Sequence, residues 1–149
     1  MEPDTCQRYG LDWTKFEVPN PCGVAFPRAT DEVAQLLAAC DQLQLAVVPS
    51  GGRTGLSGGA VASEGELVVS FERLQKLEPV DEFGMTVRVG AGVVTQSVHQ
   101  HAAPCGLTWP VDLAAKGSCT VGGNLATNAG GLKVIRYGHT RHWVSGLQA

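Results

Sequence analysis

Two glycine-rich stretches hold the residues best placed to do chemistry. "PSGGRTGLSGG" (49–59) has five glycines in eleven residues, and "GGNLATNAGG" (122–131) has four in ten, with two asparagines and a threonine. Glycine lacks a Cβ, so backbone there can take positive φ and lie close to a ligand. Successive amides then converge on an anion, and Asn and Thr side chains add donors at fixed positions. Two such loops suit a diphosphate. The competing reading is a pair of flexible turns. The strand expected before the first loop and the absence of Ser/Gly monotony in the second favour ligand binding.

Other phosphate motifs fit poorly. A P-loop needs a lysine that "GRTGLSGGA" lacks. In "VRVGAGVVTQ", Gly90 and Gly92 follow a strand-like run, but Thr95 stands where a dinucleotide fingerprint has Gly or Ala, and no clear second strand precedes Asp112. The histidines form two pairs, His99 with His101 and His139 with His142. Either pair could bind metal, but no carboxylate or cysteine lies at ligand spacing, so packing or solvation is the better account and no metal site is expected. Lys133, Arg136 and Arg141 make a mildly basic turn, either a solvated face or a contact to phosphate or an acidic substrate. The cysteines, 6, 22, 40, 105 and 119, are odd in number and contain no CxxC, which argues against a disulfide framework. Cys40 is expected in a core; the others are buried or free thiols.

The elements that must position these loops come from apolar spacing. Residues 1–22, with Pro3, Pro19 and Pro21, are a lead-in with at most one short helix. "GVAFP" (23–27) is a short strand ended by proline. Thr30 is expected to cap a helix whose face is Val33, Leu36, Leu37, Cys40 and Leu43. "LAVVP" (45–49) is a buried strand, so 23–49 makes a strand–helix–strand unit and a parallel sheet. "ELVVSF" (66–71) and "MTVRV" (85–89) are further strands, the second half-buried. Val94, Val98 and Ala102 predict a helix over 93–103, and "WVSGLQA" (143–149) begins like a strand.

Composition sets outer bounds. The chain has 149 residues, 19 of them glycine, nearly double the usual share of about 7%. Net charge is −3, with no basic run, so nucleic acid is not the expected partner. No apolar stretch reaches membrane-spanning length and the start is not a signal peptide, so a cytoplasmic protein is expected.

At the two glycine blocks the chain resembles the FAD-binding domain of vanillyl-alcohol-oxidase-type (PCMH-type) flavoproteins, in the branch of the D-lactate, glycolate and D-2-hydroxyglutarate dehydrogenases. "PSGGRTGLSGGAV" matches that branch's first phosphate loop, and "PVDLAAKGSCTVGGNLATNAGGLKVIRYG" (110–138) its second block. The resemblance implies a two-lobed α+β FAD domain over residues 23–149. It implies a first cradle of Gly51, Gly52, Arg53, Thr54, Gly55, Leu56 and Ser57. Pro110 and Asp112 would lie beside the flavin. Gly117, Ser118, Thr120, Gly122, Gly123, Asn124, Thr127, Asn128, Gly130 and Gly131 would form the second contact set. The first loop carries Arg53 and no histidine, so the FAD is expected to be non-covalent. The implied activity is hydride transfer from a small D-2-hydroxyacid to flavin, with electrons passed to an acceptor. The resembled enzymes continue into a substrate domain, so the chain is expected to be a fragment without its catalytic base. The alternatives are a flavin-binding module without catalysis and a non-functional remnant.

Overall fold

A computed structural model describes residues 3–148. The chain divides into two compact units, residues up to Leu74 and from Gln75 onward.

The first unit is built on a three-stranded parallel sheet. Its strands are β1 (Gly23–Ala25), β2 (Val47–Ser50) and β3 (Leu67–Ser70), in the order β1-β3-β2. Gly23 and Val47 both pair with Leu67. β3 is central, and its Val68 and Val69 are fully buried. Each such valine contributes about 1.5–3 kcal/mol of burial free energy. The buried strand expected at 45–49 is found as β2, an edge strand that is only half-buried before Ser50. Val24, Val68, Ala62 and Tyr9 form the core, with Phe26 and Val48 against it. Tyr9 closes α1 (Pro3–Tyr9) and meets Phe26 edge-on at 5.0 Å between ring centres.

α2 (Thr30–Gln42) carries the β1-to-β2 crossover. Thr30 is its first helical residue and not its cap. Ala29 takes the cap position, and the Glu32 carboxylate reaches back to accept the Arg28 amide at 2.6 Å. The buried face is also narrower than the spacing suggested. Val33, Leu36 and Cys40 turn inward, whereas Leu37 and Leu43 are exposed.

The second unit has little regular structure. The expected strand at 85–89 is absent. Residues 77–89 instead form an irregular ribbon closed by antiparallel bridges Leu77–Val89 and Asp81–Thr86, and Met85 sits exposed at φ +50°. Backbone bonds such as Asp81 N to Thr86 O at 2.8 Å and Gly90 N to Lys76 O at 2.7 Å join its two sides, and Asp81 Oδ1 accepts the Phe83 and Gly84 amides in the turn between them. α3 (Thr95–Ala102) follows and buries Thr95, Val98 and Ala102, then runs on as a 3-10 turn, Ala103–Cys105. The segment beyond it returns beside the start of α3. Thr95 N donates to Cys119 O, Gln96 N to Lys116 O and Val121 N to Val93 O. α4 (Val121–Ala126), α5 (Val134–Tyr137) and a 3-10 turn, Thr140–Trp143, complete the unit. Residues 144–148 carry no regular element, and Ala149 of the expected final strand lies outside the described residues.

Candidate functional site

The first glycine loop leaves the sheet at the carboxyl end of β2, the end of parallel strands where ligands bind in open α/β sheets. Ser50 is fully buried there. Arg53 turns the chain at φ +55°, and its Nη1 donates to Gly51 O at 3.1 Å and Ser50 Oγ at 3.4 Å. Its guanidinium lies 4.5 Å from the centre of the Tyr9 ring, a cation–π contact. Tyr9 in turn donates its hydroxyl to Glu72 Oε2 at 2.7 Å. Burial, then the Glu72 hydrogen bond and charge, push the Tyr9 phenol above its ordinary pKa.

Among the described residues, the backbone amides of Gly52, Thr54, Leu56 and Ser57 have no hydrogen-bond partner in the chain. A Cβ added at Gly55 or Gly59 would meet nothing within 4 Å, and neither has positive φ. The fold itself does not require glycine at those two positions. Beside the loop lies an open hollow of about 430 Å³, lined in part by Ser57, Gly58, Glu17 and Glu64. The two glutamates make that hollow a poor anion site.

Asp12 escaped the sequence reading because its partner is 46 residues away. It is buried, and its Oδ2 accepts the Gly58 amide at 2.9 Å. Burial raises its pKa, but hydrogen bonds from the Thr14 hydroxyl and amide and from the Gly58 and Lys15 amides outweigh that and hold it below the usual carboxylate range.

The second glycine block is not the open loop that its composition suggested. Residues 121–126 are helix α4. Thr120 caps it, its side chain accepting the Gly123 amide at 3.4 Å. Gly122 is where the helix touches a neighbour. Its amide donates to Ala91 O at 3.0 Å, and a Cβ would lie 2.8 Å from Ala91 Cβ and 2.9 Å from its carbonyl oxygen. Gly131, at φ +81°, lies directly against the Asp112 carbonyl, and a Cβ on Gly130 would meet Val134 at 2.7 Å. These three glycines have packing reasons within the chain.

Most polar side chains of the block are also engaged internally. Asn124 is buried and its Nδ2 donates to Thr95 Oγ1 at 2.5 Å. Thr127 Oγ1 donates to Gly123 O at 3.0 Å, and Asn128 Oδ1 accepts the Arg141 amide at 3.2 Å. Gly117, Ser118, Gly123 and Thr127 remain exposed.

Pro110 is buried next to the fully buried Val111. Asp112 binds Lys116 at 2.8 Å and Lys133 at 3.4 Å, and its carbonyl accepts the Leu132 amide at 2.7 Å, so one residue ties 112–116 to 131–133. The Lys116 hydrogen bond is the main cause holding the Asp112 carboxyl low. His99 Nε2 contacts Val111 O at 3.2 Å and His101 Nε2 contacts Glu78 O at 2.9 Å in partly buried positions, and the exposed His142 accepts the His139 amide on Nδ1. Cys40 and Cys119 are buried. Among the described residues no cluster of three or more His, Cys, Asp or Glu could hold a metal, and no helix is long and apolar enough to cross a membrane.

A family model for the FAD binding domain matches residues 21–149. The chain belongs to this family. It is 52% identical over 147 residues to the D-2-hydroxyglutarate dehydrogenase of Xanthomonas citri pv. viticola, covering 99% of this chain and 31% of the relative. A D-2-hydroxyglutarate dehydrogenase of Stutzerimonas stutzeri is 46% identical over 147 residues, with 99% and 32% covered. The mitochondrial D-2-hydroxyglutarate dehydrogenase of Arabidopsis thaliana is 44% identical over 138 residues, with 93% and 25% covered. The chain thus spans about a third or less of the length of these relatives. Among solved structures, 6-hydroxy-D-nicotine oxidase from Arthrobacter nicotinovorans matches with a TM-score of 0.76 at 20% identity, over 94% of this chain and 30% of that one. The fold is the α+β, PCMH-type FAD-binding fold.

The first loop fits such a cofactor. An FAD-binding domain needs bare amides for a diphosphate, and Gly52, Thr54, Leu56 and Ser57 supply free ones beside the Arg53 cation. Packing does not account for Gly55 and Gly59, whereas the close approach of a ligand would.

Proposed function

We propose that the chain is the FAD-holding part of a dehydrogenase that oxidises D-2-hydroxyacids, D-2-hydroxyglutarate foremost, with D-lactate and glycolate as related substrates. Residues 23–149 make up the FAD-binding domain and residues 1–22 lead into it. The observation that carries the reading is the first loop, where free amides, the Arg53 cation and two glycines without a packing role coincide. The amides of Gly52, Thr54, Leu56 and Ser57 receive the diphosphate, with Gly51, Arg53 and Gly55 shaping and charging the cradle. In the second block, the exposed Gly117, Ser118, Gly123 and Thr127 are proposed as FAD contacts. Thr120, Gly122, Asn124, Asn128, Gly130, Gly131, Pro110 and Asp112 hold their backbone in place.

Bound FAD would supply the hydride acceptor, which is the cofactor's own chemistry. The residues of this chain bind and orient it. The substrate is a small hydroxyacid, and a separate electron acceptor reoxidises the flavin. The choice of D-2-hydroxyglutarate rests on relatives at 52% and 46% identity over 99% of the chain. These two relatives are bacterial and support a cytoplasmic location, whereas the Arabidopsis relative is named mitochondrial. Arg53 occupies a loop without histidine, so the flavin is held non-covalently. Purified chain loaded with FAD should show flavin absorbance, and acid precipitation should release all of it to the supernatant. Yellow colour in the washed pellet would contradict non-covalent binding, and no uptake of FAD would contradict the reading as a whole.

A further inference from the structure

Asp12 lies before the residues matched to the family and is only 4% exposed. A buried carboxylate is costly unless its oxygens meet donors. Oδ1 accepts from the Thr14 amide at 2.9 Å and the Thr14 hydroxyl at 2.5 Å, which closes a local turn. Oδ2 reaches across to the Gly58 amide at 2.9 Å. Two backbone bonds join the same segments: Trp13 N donates to Gly55 O at 3.3 Å and Ala62 N to Gly10 O at 3.0 Å. Gly58 sits at φ +75°, where a side chain would be strained. The glycine loop is therefore held at both ends, by Arg53 on Ser50 and Gly51 where it begins, and by Asp12 on Gly58 where it closes.

We propose that Asp12 is the positioning residue of this loop: by holding the Gly58 amide it fixes the directions in which the Gly52, Thr54, Leu56 and Ser57 amides point. The proposal rests on the FAD reading above, since those amides are the ones assigned to the diphosphate. A carboxylate near an anion site opposes binding as a bare charge. Asp12 is buried and engaged by backbone and hydroxyl donors, so its role is geometric and it does not contact the ligand.

Asp12→Asn tests this with little change in shape. One carboxylate oxygen becomes an amide NH₂. The Thr14 donors claim the remaining oxygen, and the NH₂ then faces the Gly58 N–H, donor against donor. FAD affinity, read by flavin fluorescence quenching on the full chain, should fall about tenfold, the size of one buried hydrogen bond lost. Hydrogen exchange at the Gly58 amide, the one Asp12 holds, should speed up by a similar factor, while the amides of β3 keep their rates. Thr14→Val removes a hydroxyl from the same carboxylate but spares the Gly58 bond, and should leave FAD affinity within about twofold. Equal FAD affinity in Asp12→Asn and wild type overturns the inference and leaves the FAD reading standing. If wild type takes up no FAD, the FAD reading fails, and the Gly58 exchange rate decides whether Asp12 positions the loop: faster exchange supports it and an unchanged rate overturns it. Exchange that rises equally in the loop and in β3 also overturns it, because Asp12 would then support the fold as a whole.

Discussion

Gly122→Ala should destabilise the protein although it replaces a glycine inside a helix. In an exposed helix this change gains about 1 kcal/mol of propensity. Here the new Cβ would lie 2.8 Å from Ala91 Cβ, 2.9 Å from Ala91 O and 3.1 Å from Ala91 Cα. Two of those three atoms are backbone, so a rotamer change cannot relieve the overlap. Overpacking of this kind costs about 1–3 kcal/mol. Pushing α4 away also stretches the 3.0 Å bond from the Gly122 amide to Ala91 O, worth about 0.5–1.5 kcal/mol. The net expectation is a loss of about 2 kcal/mol, or about 4–8 °C in Tm for a chain of this size. Thermal unfolding of the cofactor-free protein, followed by circular dichroism, reads this directly. A Tm equal to or above wild type would refute the packing account of Gly122 and return that glycine to the open-loop reading.

Thr95→Val removes the hydroxyl to which the buried Asn124 side chain donates, and leaving that amide unpaired should cost about 1–3 kcal/mol, measured as a lower urea midpoint. Asp112→Asn should release Lys116 and Lys133. Because the Asp112 carboxyl sits below its ordinary value in the folded protein, its contribution is fully present above the ordinary carboxylate range of about pH 4 and is lost as pH falls through the lower folded value. The Tm difference between wild type and Asp112→Asn should therefore be present at pH 7 and shrink under acid; a difference that grows on acidification would contradict the assignment.

The parts of the fold that were legible in the sequence are those set by short apolar runs. "GVA", "VVPS" and "LVVS" become the three strands because β-branched residues between turn formers have few other stable arrangements. The parts that misled are those where tertiary partners override local preference. "GGNLA" reads as loop because glycine is a poor helix former. A threonine cap and a close seat on Ala91 make it helical. "MTVRV" alternates like a strand and bonds across to 78–81, but the pairing amounts only to the isolated bridges Leu77–Val89 and Asp81–Thr86, with the Asp81 carboxylate closing the turn between them. Thr30 looked like a cap, yet Glu32 reaches back to the Arg28 amide and the helix begins one residue before the expected register. Glycine spacing marks out both blocks in the sequence. It could not separate glycines kept bare by packing, such as Gly122 and Gly131, from those that packing leaves unexplained, such as Gly55. Asp12 was invisible because a long-range carboxylate-to-amide bond leaves no local pattern.

The central claim is that the first glycine loop is bare because FAD lies against it, and Gly55→Val tests it most directly. Gly55 is exposed, has ordinary φ, and an added Cβ meets nothing within 4 Å, so the fold should accept valine with Tm essentially unchanged. The branched side chain would instead occupy the space through which a phosphate reaches the Thr54 and Leu56 amides. FAD titration of both proteins should show binding weakened by about a hundredfold or more in the variant, equivalent to about 2.7 kcal/mol. FAD binding by Gly55→Val as tight as that of wild type would contradict the account.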